Sequence, residues 1–320
     1  MNFKPIIIVA GEPNSIFLEI FFKALDYKKY KSPIILIGSK KIINLQMKKL
    51  KIHKKINLLD SSKLKKYTLN NNSINLINIE FNQKKAFEKI TNKSNKFIED
   101  CLNVAFELIK NRYSTKLING PISKKTFLNK RLQGMTEYIC NEFKIKKSAM
   151  LIYNKKLSVC PLTTHLPIRL IPKNINKKNI VEKVQLINKF YKKNFNKKPK
   201  IGVTGLNPHC ESIERYNEDE KIIRPTINYL AKSGYKILGP ISTDTMFLKD
   251  NRSKFDVILG MYHDQVLTPL KTIFEYDAIN ITLGLPFIRI SPDHGPNEQM
   301  LGKNLSNPLS LIKAISFLDK

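Results

Sequence analysis

Short apolar runs alternate with helix-length amphipathic stretches along nearly the whole chain, and this alternation constrains the fold more than any other feature of the sequence. Ile6–Ala10, Pro33–Ile37, Ile74–Ile79, Lys116–Ile118, Ala149–Tyr153, Leu157–Cys160, Ile201–Thr204, Val257–Met261 and Ile279–Leu283 read as strands. Ser15–Leu25, Lys40–Leu50, Ile180–Phe195 and Glu218–Lys232 repeat apolar residues at helical spacing, and Lys85–Lys110 reads as one helix or a helix pair. Gly234 is placed to end the Glu218–Lys232 helix. Strands and helices in turn predict an α/β protein with mixed, mostly parallel sheets flanked by helices. The 320 residues are expected to form one α/β unit of two subdomains whose boundary is not marked. Neither a repeat nor a clear linker is evident, and the Lys/Asn-rich stretch Lys173–Asn179 is the best interruption.

The formal net charge of +30 raises the possibility of a nucleic-acid or acidic-membrane surface. The lysines are spread through every segment together with Asn and Ile, and no nucleic-acid-binding signature accompanies them. The charge is therefore read as compositional, with no specific nucleic-acid partner expected. A basic nucleic-acid-binding protein stays as the alternative from another class, which salt dependence of DNA binding would separate. No uncharged apolar run reaches the ~18 residues of a membrane span. The N-terminal MNFKPIIIVAG reads as a first strand rather than a signal peptide, so a cytoplasmic enzyme-sized chain is expected. Cys101, Cys140, Cys160 and Cys210 lack CxxC spacing and read as reduced thiols.

His53 lies in a Lys-rich stretch and reads as a surface residue. His165, His209 and His263 each lie just past the end of a run read as a strand. Each alone is an ordinary loop residue; together they can converge on the strand edge where open α/β sheets bind ligands. Three imidazoles suit one divalent ion and leave a coordination position open for water or substrate. Such an ion can hold a substrate hydroxyl, lower its pKa and polarise the carbonyl formed as hydride leaves.

A set of ordered motifs sharpens this reading. They are Gly120-Pro121-Ile122-Ser123-Lys124, Gly134-Met135-Thr136-Glu137, Thr164-His165-Leu166-Pro167 and Gly205-Leu206-Asn207-Pro208-His209. Asp244-Thr245-Met246-Phe247, Met261-Tyr262-His263-Asp264-Gln265, the run from Asn280 to Arg289 and the SPDHG of Ser291–Gly295 follow. In this order the chain resembles the 4-hydroxythreonine-4-phosphate dehydrogenases of pyridoxal phosphate synthesis, over nearly its whole length.

The resemblance implies an isocitrate/isopropylmalate-dehydrogenase-like fold of two subdomains with the active site in the cleft. It implies NAD- or NADP-linked oxidation of the C3 hydroxyl of 4-phosphooxy-threonine, followed by loss of CO₂. One divalent ion (Zn, Mg or Co) would be held by His165, His209 and His263, at the interface of a homodimer. Substrate contacts would fall on Thr136, Asp244, Lys271, Asn280 and Arg289, with Asp244 and Lys124 in the catalytic positions. The cofactor loop would correspond to His294-Gly295. Lys124 can act as acid or base if desolvated, or be a helix-start cation. Lys and Arg suit a phosphate, and Arg289 ends an apolar run where a solvated face is not expected. Pro269 argues against one unbroken helix from His263 to Lys271, so that both can lie near the metal.

The chain departs from the family at Gly11–Phe17, where two glycines are replaced, and at Met135, which stands in place of a histidine. It also departs at Cys210–Glu214 and at Pro296-Asn297. Met135 favours, as an alternative, a dehydrogenase for a different phosphorylated or carboxylated hydroxy acid.

Overall fold

The structure, a computed structural model, describes residues 3–123, 125–128, 134–213, 216–292 and 294–320. Lys124 lies outside the described residues. Twelve strands are found among them: β1 Ile6–Val9, β2 Ile34–Gly38, β3 Ile56–Leu58, β4 Ile74–Asn78, β5 Lys116–Asn119, β6 Ala149–Tyr153, β7 Ser158–Pro161, β8 Ile201–Thr204, β9 Ile237–Ile241, β10 Val257–Gly260, β11 Ile279–Leu283 and β12 Ile288–Pro292. The chain divides into two compact units, one of residues Met1–Ile139 with Pro286–Lys320 and the other of Cys140–Leu285.

In the first unit the strands run in the order β3-β4-β2-β1-β5-β12, all parallel. Ile6 to Val9 and Ile34 to Ile37 are buried without a polar interruption, as strands covered on both faces require. The helix Phe17–Tyr27 buries Phe17, Leu18, Ile20, Phe21, Phe22 and Ala24. The helix Lys40–Leu50 starts on the Ser39 hydroxyl, which accepts from the Ile42 N–H, and ends at Lys51 in the left-handed region.

In the second unit the order is β11-β6-β7-β10-β8-β9. β11, β6 and β7 are joined antiparallel, and β7, β10, β8 and β9 run parallel. The mixed, mostly parallel sheets and flanking helices are those expected from the sequence.

Three local expectations are corrected. Lys85–Lys110 is helical only over Asn95–Lys110, after a 3₁₀ turn at Asn92–Ser94. The preceding stretch is pinned in a loop because the Asn14 side-chain oxygen accepts from both Gln83 Nε2 and the Glu88 N–H. The Glu218–Lys232 helix begins as a π turn over Asp219–Ile223 and becomes α-helical only at Arg224. Pro225 has no N–H to give to Lys221, and the turn widens so that Arg224 bonds Asp219 instead. Gly234, at φ +84°, does close that helix.

The third correction bears on the site. His263–Phe274 is a single helix with Pro269 inside it. Val266, Leu267 and Leu270 on its inner face join a buried cluster with Val159, Ile258 and Met246, and that packing outweighs the missing hydrogen bond. Lys271 is therefore carried about 12 Å along the axis from His263, at 1.5 Å per residue, and is exposed.

Gly11 shows how tightly the loop after β1 is drawn in. It sits at φ +74°, and a Cβ there would lie 2.4 Å from the Pro121 carbonyl oxygen. Gly11→Ala is expected to cost about 2–4 kcal/mol of stability, from left-handed strain plus the backbone clash. Urea unfolding checks this, and a change under about 0.5 kcal/mol would contradict the close approach.

Candidate active site

The second unit gathers the histidines along one sheet edge. β7 and β10 end level, with Pro161 opposite Gly260, and β8 lies on the other side of β10 with Val203 opposite Leu259. His165, His263 and His209 follow these three adjacent strand ends, and Asp244 follows β9, the next strand along. Parallel neighbours place their C-terminal ends on the same edge, so the fold brings all four residues there. Among them, the rings of His165 and His263 are 6.0 Å apart between centroids. His263 Nδ1 and the Asp264 carboxylate are 2.6 Å apart, a pairing in which Nδ1 donates and Nε2 keeps its lone pair. Asp244 is held below the usual carboxylate range, chiefly by the Ser242 hydroxyl donating to it, with the Thr245 N–H and nearby His209 adding to the effect.

His209 lies in a strained turn, with φ +54° at His209 and +61° at Cys210. The loop leading into it is held by Asp219, which is fully buried. Asp219 accepts from the Leu206 N–H at 2.8 Å, the Asn207 N–H at 3.0 Å and Asn207 Nδ2 at 2.9 Å. An amide would present donors to donors here. Asp219→Asn is expected to lower stability by about 2–3 kcal/mol, and a urea midpoint equal to wild type would refute that.

Among the described residues no cluster of three or more His, Cys, Asp or Glu side chains is close enough to hold a metal ion by itself. The donor set nevertheless suits one: imidazoles on adjacent strand ends, two of them in ring contact, one oriented by a carboxylate. Asn280, on β11, is half-buried, and its Oδ1 accepts no hydrogen bond from the described residues.

The first unit has its own C-terminal edge, where β1, β5 and β12 end side by side. Arg289 on β12 is level with Leu117 of β5 and only 2% exposed. Asn119, two residues beyond Leu117, shares its face of the strand. Arg289 Nε donates to Asn119 Oδ1 at 2.7 Å, and Nη1 to the Thr136 hydroxyl at 3.3 Å. Thr136 is in the first turn of the helix Met135–Glu142, next to buried Met135. Arg289 is thus a built-in cation, and the expectation that it escapes a solvated face is met.

The Gly11–Phe17 loop and the His294–Asn297 segment pack together at this edge. The Ile16 N–H donates to the Pro296 oxygen at 3.1 Å, and the rings of Phe17 and His294 are 6.2 Å apart. Burial pushes the Glu12 carboxyl up, against hydrogen bonds from Ser94 and Asn14. Gly295 is exposed with open space where a side chain would project, which suits backbone contact with a cofactor.

Asn119, Asp219 and Gln265 were not singled out from the sequence, although each stands in or near a motif that was. Their signal is a polar residue that must be buried, and periodicity alone does not report it.

The model of the family described as pyridoxal phosphate biosynthetic protein PdxA matches residues 29–318. A protein of Sulfurihydrogenibium sp. (strain YO3AOP1) named 4-hydroxythreonine-4-phosphate dehydrogenase is 37% identical, over 96% of this chain and 95% of its own. One of the same name from Aquifex aeolicus (strain VF5) is 32% identical, over 99% and 98%. The crystal structure of 4-hydroxythreonine-4-phosphate dehydrogenase from Klebsiella pneumoniae shares the fold, with a TM-score of 0.85 at 24% identity over 98% of this chain and 97% of that one. The chain is an oxidoreductase and belongs to the pyridoxal phosphate biosynthetic protein PdxA family.

Proposed function

We propose that this protein oxidises the C3 hydroxyl of 4-phosphooxy-L-threonine with NAD or NADP, giving a β-keto acid that loses CO₂ to leave 3-amino-2-oxopropyl phosphate. The observation that supports it is the common edge of β7, β10, β8 and β9, which carries His165, His263, His209 and Asp244 in a family of oxidoreductases. His165, His209 and His263 would hold one divalent ion, with Zn, Mg and Co as the candidates. When bound, it would act as a Lewis acid toward the substrate hydroxyl. The His294-Gly295 segment would hold the nicotinamide cofactor, which supplies the hydride acceptor.

The chain's own groups do the rest. Arg289 and Thr136 bind the phosphate oxygens, the guanidinium as a fork and the hydroxyl as a donor. Asn280 orients a polar substrate group with its amide. Asp244, already accepting two hydrogen bonds, serves as a fixed negative charge toward the substrate's ammonium rather than as a strong base. Lys124 is assigned the proton-transfer position and Lys271 an outlying phosphate contact. A homodimer, with the site at the subunit interface, completes this reading.

The test is cofactor reduction by chelator-treated protein with 4-phosphooxy-threonine. Turnover is expected only after a divalent ion is restored. Turnover with another phosphorylated hydroxy acid and none with this one would instead favour the second reading, which the buried Met135 beside Thr136 supports.

A further inference from the structure

We propose that Gln265 is a positioning residue that sets the spacing of the histidine-bearing strand ends. Its side chain is buried, 8% exposed, and its amide makes all the hydrogen bonds that such a group can. Oε1 accepts from the Met261 N–H at 2.7 Å and from the Thr204 hydroxyl at 2.8 Å. Nε2 donates to the Gly205 carbonyl at 2.7 Å and to the Thr243 hydroxyl at 3.0 Å. These partners belong to three different segments. Met261 follows β10 and leads into His263; Thr204 and Gly205 end β8 and lead into His209; Thr243 precedes Asp244.

The fourth strand end is joined through Met261 and the residue before it. The Met261 carbonyl accepts from the Thr163 hydroxyl at 2.8 Å, and the Leu162 N–H donates to Gly260 at 2.7 Å, on the way to His165. One hydrogen-bonded chain, Thr163–Met261–Gln265–Thr204/Gly205–Thr243, therefore crosses every strand end that carries a candidate ligand or Asp244. None of its members is itself a candidate ligand. In a buried network each bond constrains the others, and losing the central amide would leave several polar groups unpaired at once. Groups behind metal ligands affect metal affinity by about 10–100-fold when removed.

The inference rests on the proposed metal reading, and the experiment separates the two. Zn²⁺ affinity of the metal-free protein would be measured by chelator competition, alongside its melting temperature. Gln265→Met keeps the volume and removes all four bonds, so Zn²⁺ affinity should fall by about 10–100-fold. Gln265→Glu keeps both accepted bonds and lets Thr243 donate, but sets an acceptor against the Gly205 carbonyl; it should recover only part of that loss. Tyr191→Phe is the structural control. It removes a buried hydroxyl bonded to Ser158 and the Asp256 carbonyl, at the opposite ends of β7 and β10. It should lower the melting temperature and leave Zn²⁺ affinity unchanged.

Affinity in Gln265→Met within about two-fold of wild type, or an equal loss in Tyr191→Phe, would overturn the proposal while leaving the metal reading intact. A wild-type protein that binds no Zn²⁺ would overturn both. Should Gln265→Met fail to fold, Gln265→Glu and Thr243→Val, each removing part of the network, carry the test, and wild-type affinity in both would overturn it.

Discussion

His209→Ala is expected to weaken divalent-ion binding by at least about 100-fold, more than the replacement of any group behind the ligands. The reasoning is geometric. His165 and His263 already face one another, and His209 comes from the strand end on the far side of β10. Removing it leaves two imidazoles, whose chelation is far weaker than that of three. Because His209 is exposed and its loop is held independently by Asp219, the protein should fold and melt close to wild type without metal. Unchanged metal stoichiometry and affinity would remove His209 from the ligand set. A large fall in the metal-free melting temperature would show that its role is structural.

Arg289→Lys is expected to raise KM for the phosphorylated substrate by about 10-fold or more, since a charge-assisted hydrogen bond is worth about 1.5–3 kcal/mol. Lysine keeps the charge but has no planar fork, so it cannot hold Asn119, Thr136 and a phosphate oxygen in one plane. Some of the effect will appear as lost stability, because a buried cation loses a partner; thermal melts measure that share. The comparison that decides is with 4-hydroxythreonine, which lacks the phosphate. If KM rises equally for both compounds, in this variant and in Lys271→Ala, neither residue reads the phosphate and the substrate assignment falls.

Much of the fold was legible where the residues had no competing choice. Lys40–Leu50 is legible residue for residue because its Ser39 cap and its apolar stripe agree, although the left-handed Lys51 that ends it carries no stop signal in the sequence. Ala149–Tyr153 and Ile201–Thr204 are legible as short runs rich in apolar residues, and Ile279–Leu283 as strict alternation of apolar and polar residues ended by Gly284. β9 was not, because Gly239 and Pro240 disguise it; it tolerates them as the last strand of its order. β3 is only three residues long and set among lysines. The helix through Pro269 could not be read either, since the packing that holds it comes from strands distant in sequence.

The site was legible to a similar degree. That three histidines follow strands could be seen from apolar runs alone. That β10 lies between β7 and β8 could not, because crossover order leaves no mark in local periodicity. The sequence pattern singled out Arg289 as anomalous for a solvated face but did not reveal Asn119, its partner 170 residues away.

That long separation has a consequence for how the chain is made. The second unit is continuous, Cys140–Leu285, whereas the first is assembled from both ends of the chain. During synthesis β5 therefore waits with an open edge while all of the second unit emerges, and only then do β12 and the helix Leu309–Leu318 arrive to close it. A nascent chain halted after Leu285 would hold every strand of the second sheet but a first sheet still lacking its last parallel strand and the guanidinium that strand delivers. Such an exposed edge invites pairing with other chains. The segment before Cys140 would thus be translated ahead of the second unit and mature after it.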